Sequence, residues 1–322
     1  MLRHAYTYAP SYVYSSTKSE LTDDTLISIV SDKRCEVSEG VIYSGLDAIG
    51  ESVGHIEQWR LPGYSIERGV VGDCYWSRGD NILCVAISVD NEQCKHMANS
   101  TERAYCQLLE TANGLGFTHL LRFWNYLPAI NQGDGDSELY KQFCLGRHKA
   151  FVEHQVSAND YPSASALGHH SSGAVIFGFV SSQPGQHIEN PAQVSAYQYP
   201  REYGPKSPSF ARATMSHMSN PSSPQARLFV SGTASVLGSN TVAAGDISTQ
   251  LSVTVENLEK LITNAGNARL HSLKVYIREL ADLTMVTEYL NRRYPNVIKL
   301  YTHADVCRAN LLVEIEALGY AQ

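Results

Sequence analysis

Apolar and polar positions along the chain change period several times, and each change marks an element. ILCVAISV at 82–89 is a continuous apolar run of strand length, which predicts a strand covered on both faces. Ser100 is then placed to cap a helix with Glu102 in its first turn, Ala104, Leu108 and Ala112 at helical spacing, and Gly114 at its end. HLLRFWNYLPAIN at 119–131 predicts a strand that Pro128 terminates. A polar loop follows it, and then a helical pattern through Tyr140, Phe143 and Arg147.

The second half repeats this order. ARLFVSGTASV at 226–236 reads as a strand broken at Ser231-Gly232, and Asp246 caps a helix whose Ile247, Leu251, Val255, Leu258 and Ile262 share one face before Gly266 ends it. HSLKVYIREL at 271–280 predicts a strand and ADLTMVTEYLNRRY at 281–294 a helix. Strand, helix, strand, helix thus occurs twice, about 150 residues apart, as expected of two related α+β halves, each a sheet with helices on one face. We place their boundary at 165/166. Residues 1 to 70 show only short β-rich pieces, such as Thr25 to Val30.

The last strand carries the chain's best candidate acid. In LLVEIEAL (311–318) alternation puts Leu311, Val313, Ile315 and Ala317 on one face and Leu312, Glu314, Glu316 and Leu318 on the other. Glu314 and Glu316 then stand about 6–7 Å apart along the strand. The pattern alone leaves open whether they form a site or a solvated sheet face. Between the halves, AVIFGFVSS (174–182) predicts a strand, and residues 183–213 have no period at all. They hold Tyr197, Tyr199, Arg201, Tyr203, Lys206, Phe210 and Arg212. Aromatics at this density predict a packed loop that lines a pocket, with cationic groups among them.

Composition narrows the function classes. A formal charge of −7 and the lack of a basic run argue against nucleic acid and anionic membrane as partners, so an anionic ligand must be met by locally placed arginines. No apolar run is long enough to span a bilayer, and MLRHAYTYAPSYVYSS lacks the apolar core of a secretory leader, which predicts a cytoplasmic protein. The seven cysteines form no CxxC pair and read as reduced thiols; the pair His169-His170 reads as part of a loop and not a metal site. No metal or other cofactor is expected.

Four pieces of the second half, LFVSGTAS, GDISTQLSVTVENLEKLI, LKVYIRELADL and LLVEIEAL, resemble the RidA/YjgF family of small α+β proteins. With WNYLPAIN, FCLGRHKAF, YPSASALG and the block ENPAQVSAYQYPREYGPKSPSFARA, the chain resembles the chorismatases, enzymes that remove the enolpyruvyl group of chorismate as pyruvate. The resemblance implies an α+β fold of two RidA/YjgF-like (chorismate mutase-like) halves. The half from 1 to 165 would lack the catalytic motif, and the half from 166 to 322, with the 183–213 loop, would carry it. It also implies that Glu314 is the catalytic acid, with Glu316 as second choice. Arg212 and Arg278 would bind carboxylates, Tyr199, Tyr203 and Phe210 would wall the ring, and Gly232 and Ala234 would line the pocket. Cys307 matches the position where a cysteine accompanies hydroxybenzoate-forming members, which implies 3-hydroxybenzoate as product, with 4-hydroxybenzoate beside it. The alternatives are hydrolysis to 3,4-dihydroxycyclohexa-1,5-diene carboxylate, imine deamination of the RidA kind, and non-catalytic binding of aromatic acids. RidA-like proteins are trimers, but a fused second half could cover the same surface, so we expect a monomer.

Overall fold

The continuous apolar run does become a buried strand. Ile82–Val89 lies between Cys74–Gly79 and Ala174–Ser181, antiparallel to both, in a computed structural model that describes residues 10–14, 21–216 and 226–322. His119–Pro128 pairs antiparallel with Ala174–Ser181 and parallel with Ser163–His169, and Glu67–Val71 and Asp305–Val306 complete a seven-stranded sheet. Helices Met97–Gly114 and Leu139–Glu153 cover one face, burying Tyr105, Leu108, Phe143 and Phe151 against it.

The second sheet centres on the glutamate strand, Val313–Tyr320, which is antiparallel to Arg227–Ala234 and Arg269–Ile277. Helices Ile247–Asn264 and Leu283–Arg293 pack on the face carrying Val313, Ile315 and Ala317, as alternation requires. The fold is α+β, with helices on one face of each large sheet. The uncovered faces turn towards each other, and a third, five-stranded sheet from Pro10–Tyr14, His55–Arg60, Thr25–Val30, Val41–Ser44 and Cys35–Ser38 joins them. Leu26, Ile27 and Trp59 from this sheet, Trp124, Phe177 and Phe179 from the first, and Phe229, Tyr276 and Leu318 from the glutamate-strand sheet make one shared core. Short pairings tie the sheets, since Asp47–Ala48 adds to the glutamate-strand sheet and Asp305–Val306 to the other.

Several local expectations change. The 165/166 position falls inside Ser163–His169, a strand of the first sheet. Ser100 lies within its helix, where its hydroxyl donates to the Gln93 carbonyl (2.6 Å); the preceding turn is instead capped by Asp90, whose side chain accepts from the Gln93 amide. His169 closes a strand and is buried, whereas His170 is exposed in the bend that follows, as a loop residue is expected to be. The break at Ser231-Gly232 is present as a register shift between Val230 and Thr233. All seven cysteines are free, and no helix of the described residues is long and apolar enough to cross a membrane.

Asp246 caps its helix as expected, accepting from the Thr249 amide at 3.1 Å. Asp246→Ala is expected to cost about 1 kcal/mol of stability, read as a lower urea midpoint at unchanged slope. An unmoved midpoint would mean that the cap contributes nothing.

Candidate active site

The two glutamates of the last strand are both buried, which removes the solvated-face reading. Their surroundings differ sharply. One Glu316 oxygen accepts from Arg122 Nη2 (2.6 Å) and Ser165 Oγ (2.7 Å), the other from Trp124 Nε1 (2.8 Å), and Lys274 Nζ stands 3.3 Å away. Burial works against its charge, but Arg122 and Lys274 outweigh it and hold the pKa below the ordinary carboxyl value. Lys274 also pairs with Glu57 (2.5 Å), which accepts from Trp59 Nε1 (2.8 Å). Glu316 is therefore an ionised structural group. With every lone-pair direction claimed by a fixed donor, it has no proton to give.

The Glu314 carboxyl makes no hydrogen bond among the described residues. Burial, and then the negative charge of Glu316, push its pKa up to about 8, with Arg122 and Arg212 opposing only in part. It is paired in the ladder with Ala234 and Tyr276, and its carboxyl rests on Gly232. A Cβ at Gly232 would fall 1.8 Å from Glu314 Oε1, so only glycine lets the acid lie there. The register shift that positions Gly232 is held by hydrogen bonds from the Ala164 amide to Ser231 Oγ (2.8 Å) and from the Gly232 amide to Ser165 Oγ (3.0 Å).

Glu314 looks into a cavity of about 420 Å³, within the range of small-molecule sites. Cys307, Arg212, Tyr199, Tyr203, Phe210, Gly232 and Ala234 all line it, so the sequence brought these positions to one place. Arg212 is buried, with Nη2 donating to Tyr199 Oη (2.7 Å) and the Val194 carbonyl (2.9 Å), while Nε has no partner among the described residues. Arg278 is not among the lining residues. Its guanidinium pairs with Asp305 and with backbone carbonyls of the 305–311 loop, because the chain leaves the strand at Ile277 and turns it away from the cavity. The second pocket guanidinium is instead Arg308, which lies 4.0 Å over the Tyr203 ring and donates to the Ser239 carbonyl (2.8 Å). Sequence reasoning missed it, although it adjoins Cys307. It also missed Arg122, whose signal was a lone arginine inside the apolar run HLLRFWNYL.

These groups make a defined set of chemical tools. The cavity holds a carboxyl that keeps its proton at neutral pH, two guanidinium groups to meet anionic oxygens, and aromatic walls for a flat ring. Burial first, then Glu314, raises the Cys307 thiol to about 12, so it is a neutral thiol and not a thiolate. One grouping of ligand-type side chains among the described residues, Cys106, Glu153 and His154, could hold a metal ion; it includes none of the cavity lining.

Paired α+β halves enclosing a buried acid and two guanidinium groups define a binding cavity for a small anionic molecule. The family described as chorismatase FkbO/Hyg5-like, N-terminal, matches residues 57–181. A chorismatase of Streptomyces rapamycinicus is 30% identical over 92% of this chain and 93% of its own, and a 3-hydroxybenzoate synthase of Streptomyces hygroscopicus is 36% identical over 68% of each. A chorismatase crystal structure superposes with a TM-score of 0.85 at 28% identity, covering 97% of this chain and 98% of that one. The chain belongs to the chorismatase family.

Gly232→Ala is expected to fold but to drive the Glu314 carboxyl off its seat. A displacement of that size should cost about a hundredfold in turnover. Structure determination and a rate assay check both parts, and an alanine variant with normal rate would show that the close approach is unimportant.

Proposed function

We propose that the protein converts chorismate to 3-hydroxybenzoate and pyruvate, with 4-hydroxybenzoate as an accompanying product, and that Glu314 is its general acid. The observation that carries this is a buried carboxyl without a hydrogen-bond partner among the described residues, facing a cavity beside two guanidinium groups, where burial and Glu316 raise its pKa to about 8. Chorismate brings two carboxylates, a hydroxyl and an enol ether. Arg212 and Arg308 meet the carboxylates, Tyr199, Tyr203 and Phe210 flank the ring, and Glu314 delivers its proton to the methylene carbon of the enolpyruvyl group. An oxocarbenium-like centre results. Its collapse within the substrate releases pyruvate and leaves an aromatic ring with no net water consumed, whereas capture of water would give the non-aromatic dihydroxy acid. The name of the Streptomyces hygroscopicus relative supports the first course. A core shared by three sheets of one chain supports a monomer, since faces that would otherwise seek a partner subunit are covered internally.

Glu314→Gln keeps shape and removes the proton, so pyruvate release from chorismate is expected to fall to background while 3-hydroxybenzoate still binds. Normal pyruvate release from this variant would sink the proposal. The acid works in its protonated form. The rate governed by Glu314 should therefore be level below about pH 8 and fall about tenfold per unit above it. Glu316→Gln removes the neighbouring negative charge and leaves Arg122 and Lys274 nearby, so the alkaline limb should move to lower pH; a limb that stays put would mean that Glu314 does not titrate there.

Cys307→Ala is expected to alter the products more than the rate, because a small neutral wall residue beside the ring is exchanged without touching the acid. Chromatography of chorismate digests should show a shift from hydroxybenzoate towards the dihydroxy acid. An unchanged profile at normal rate would mean that the choice lies elsewhere in the wall, between Gly232 and Ala234.

A further inference from the structure

Arg278 has every guanidinium nitrogen engaged. Nε donates to the Leu311 carbonyl (2.8 Å), Nη1 pairs with Asp305, and Nη2 donates to the carbonyls of Val306 (2.9 Å) and Arg308 (3.2 Å) and to Asn131 Oδ1 (3.0 Å). The last contact sets a polarity. A guanidinium has donors and no acceptor, so the Asn131 amide must turn its oxygen towards Arg278 and its nitrogen away. That nitrogen, Nδ2, is buried and has no hydrogen-bond partner among the described residues, although Asn131 is part of the cavity lining. Buried amide nitrogens normally have partners. The same guanidinium holds the loop that carries Cys307 and Arg308, so these two side chains and the Asn131 amide are fixed relative to one another.

We propose that Arg278 is a positioning residue that aims the Asn131 amide into the cavity, where Nδ2 donates a hydrogen bond to an acceptor oxygen of the bound substrate. This rests on the chorismate reading above. Arg278 thus acts on the substrate without touching it. A site built this way discriminates, because an analogue lacking the accepted oxygen would leave a buried donor unpaired.

Asp and Ala at position 131 separate this from a structural role. Asn131→Asp keeps the shape and offers Arg278 a stronger acceptor, but it has nothing to donate; Asn131→Ala removes donor and acceptor without adding charge. If Asn131 serves only to satisfy Arg278, the Asp variant should be near normal. If an added negative charge were the only harm, the Ala variant should be. We expect both to lose about tenfold to a hundredfold in kcat/KM for chorismate, with the Tm of Asn131→Asp at or above wild type and that of Asn131→Ala below it. Either variant keeping wild-type kcat/KM overturns the inference. The wild-type arm guards the premise, since wild type that releases no pyruvate from chorismate would instead overturn the reading on which this one rests.

Discussion

The structure depends on a cluster of buried charge where its three sheets meet. Arg122 comes from one large sheet, Lys274 and Glu316 from the other, and Glu57 from the small one, with the indoles of Trp59 and Trp124 donating into the cluster. Ion pairs so far from water add little net stability, because desolvation offsets much of their attraction. Loss of one member is another matter and costs about 3–5 kcal/mol, since it strands a charge. The cluster therefore works as a lock on register. A slip of one residue in the glutamate strand would turn Glu316 out of the cluster and put Ala317 in its place, leaving Arg122 and Lys274 without a carboxylate.

From that lock follows the chemistry of the neighbouring acid. Glu314 and Glu316 are two residues apart on one face of one strand, are equally buried, and stand in opposite protonation states. The difference comes from donors. Glu316 is surrounded by them, whereas Glu314 lies against the bare backbone of Gly232 and the open cavity. Glu316 then contributes a fixed negative charge that makes ionisation of Glu314 harder still. One carboxylate is held ionised by its donors, and the other is pushed towards the neutral form by burial first and by that fixed charge second.

The loop from 183 to 213 supplies the remaining walls, and the guanidinium groups around the site divide by what they face. Arg122 faces a carboxylate of the protein and is neutralised by it. Arg278 faces carbonyls and a side-chain amide and organises a loop. Arg212 and Arg308 are stacked against Tyr199, Phe210 and Tyr203 with hydrogen-bonding capacity left for a ligand. Residue type alone cannot separate these roles, because each is decided by the partner on the other side.

Much of this was legible in the sequence. Period-two alternation in LLVEIEAL put both glutamates on one face, because strand geometry leaves no other choice. Helical spacing after Asp246 gave a capped helix, the Ser231-Gly232 pair marked the break that seats Glu314, and the aromatic density of the central block foretold the cavity walls. These are local properties of covalent geometry and of side chains that water does not tolerate. Tertiary structure decided the rest. Burial of the glutamates follows from one sheet packing on others, and the partner that ionises Glu316 lies in a strand almost two hundred residues earlier, beyond the reach of any local pattern. Arg308, which no pattern had marked, took the place expected of Arg278 because a strand ended at Ile277 and a loop turned back, so that one guanidinium met carbonyls and the other met the cavity.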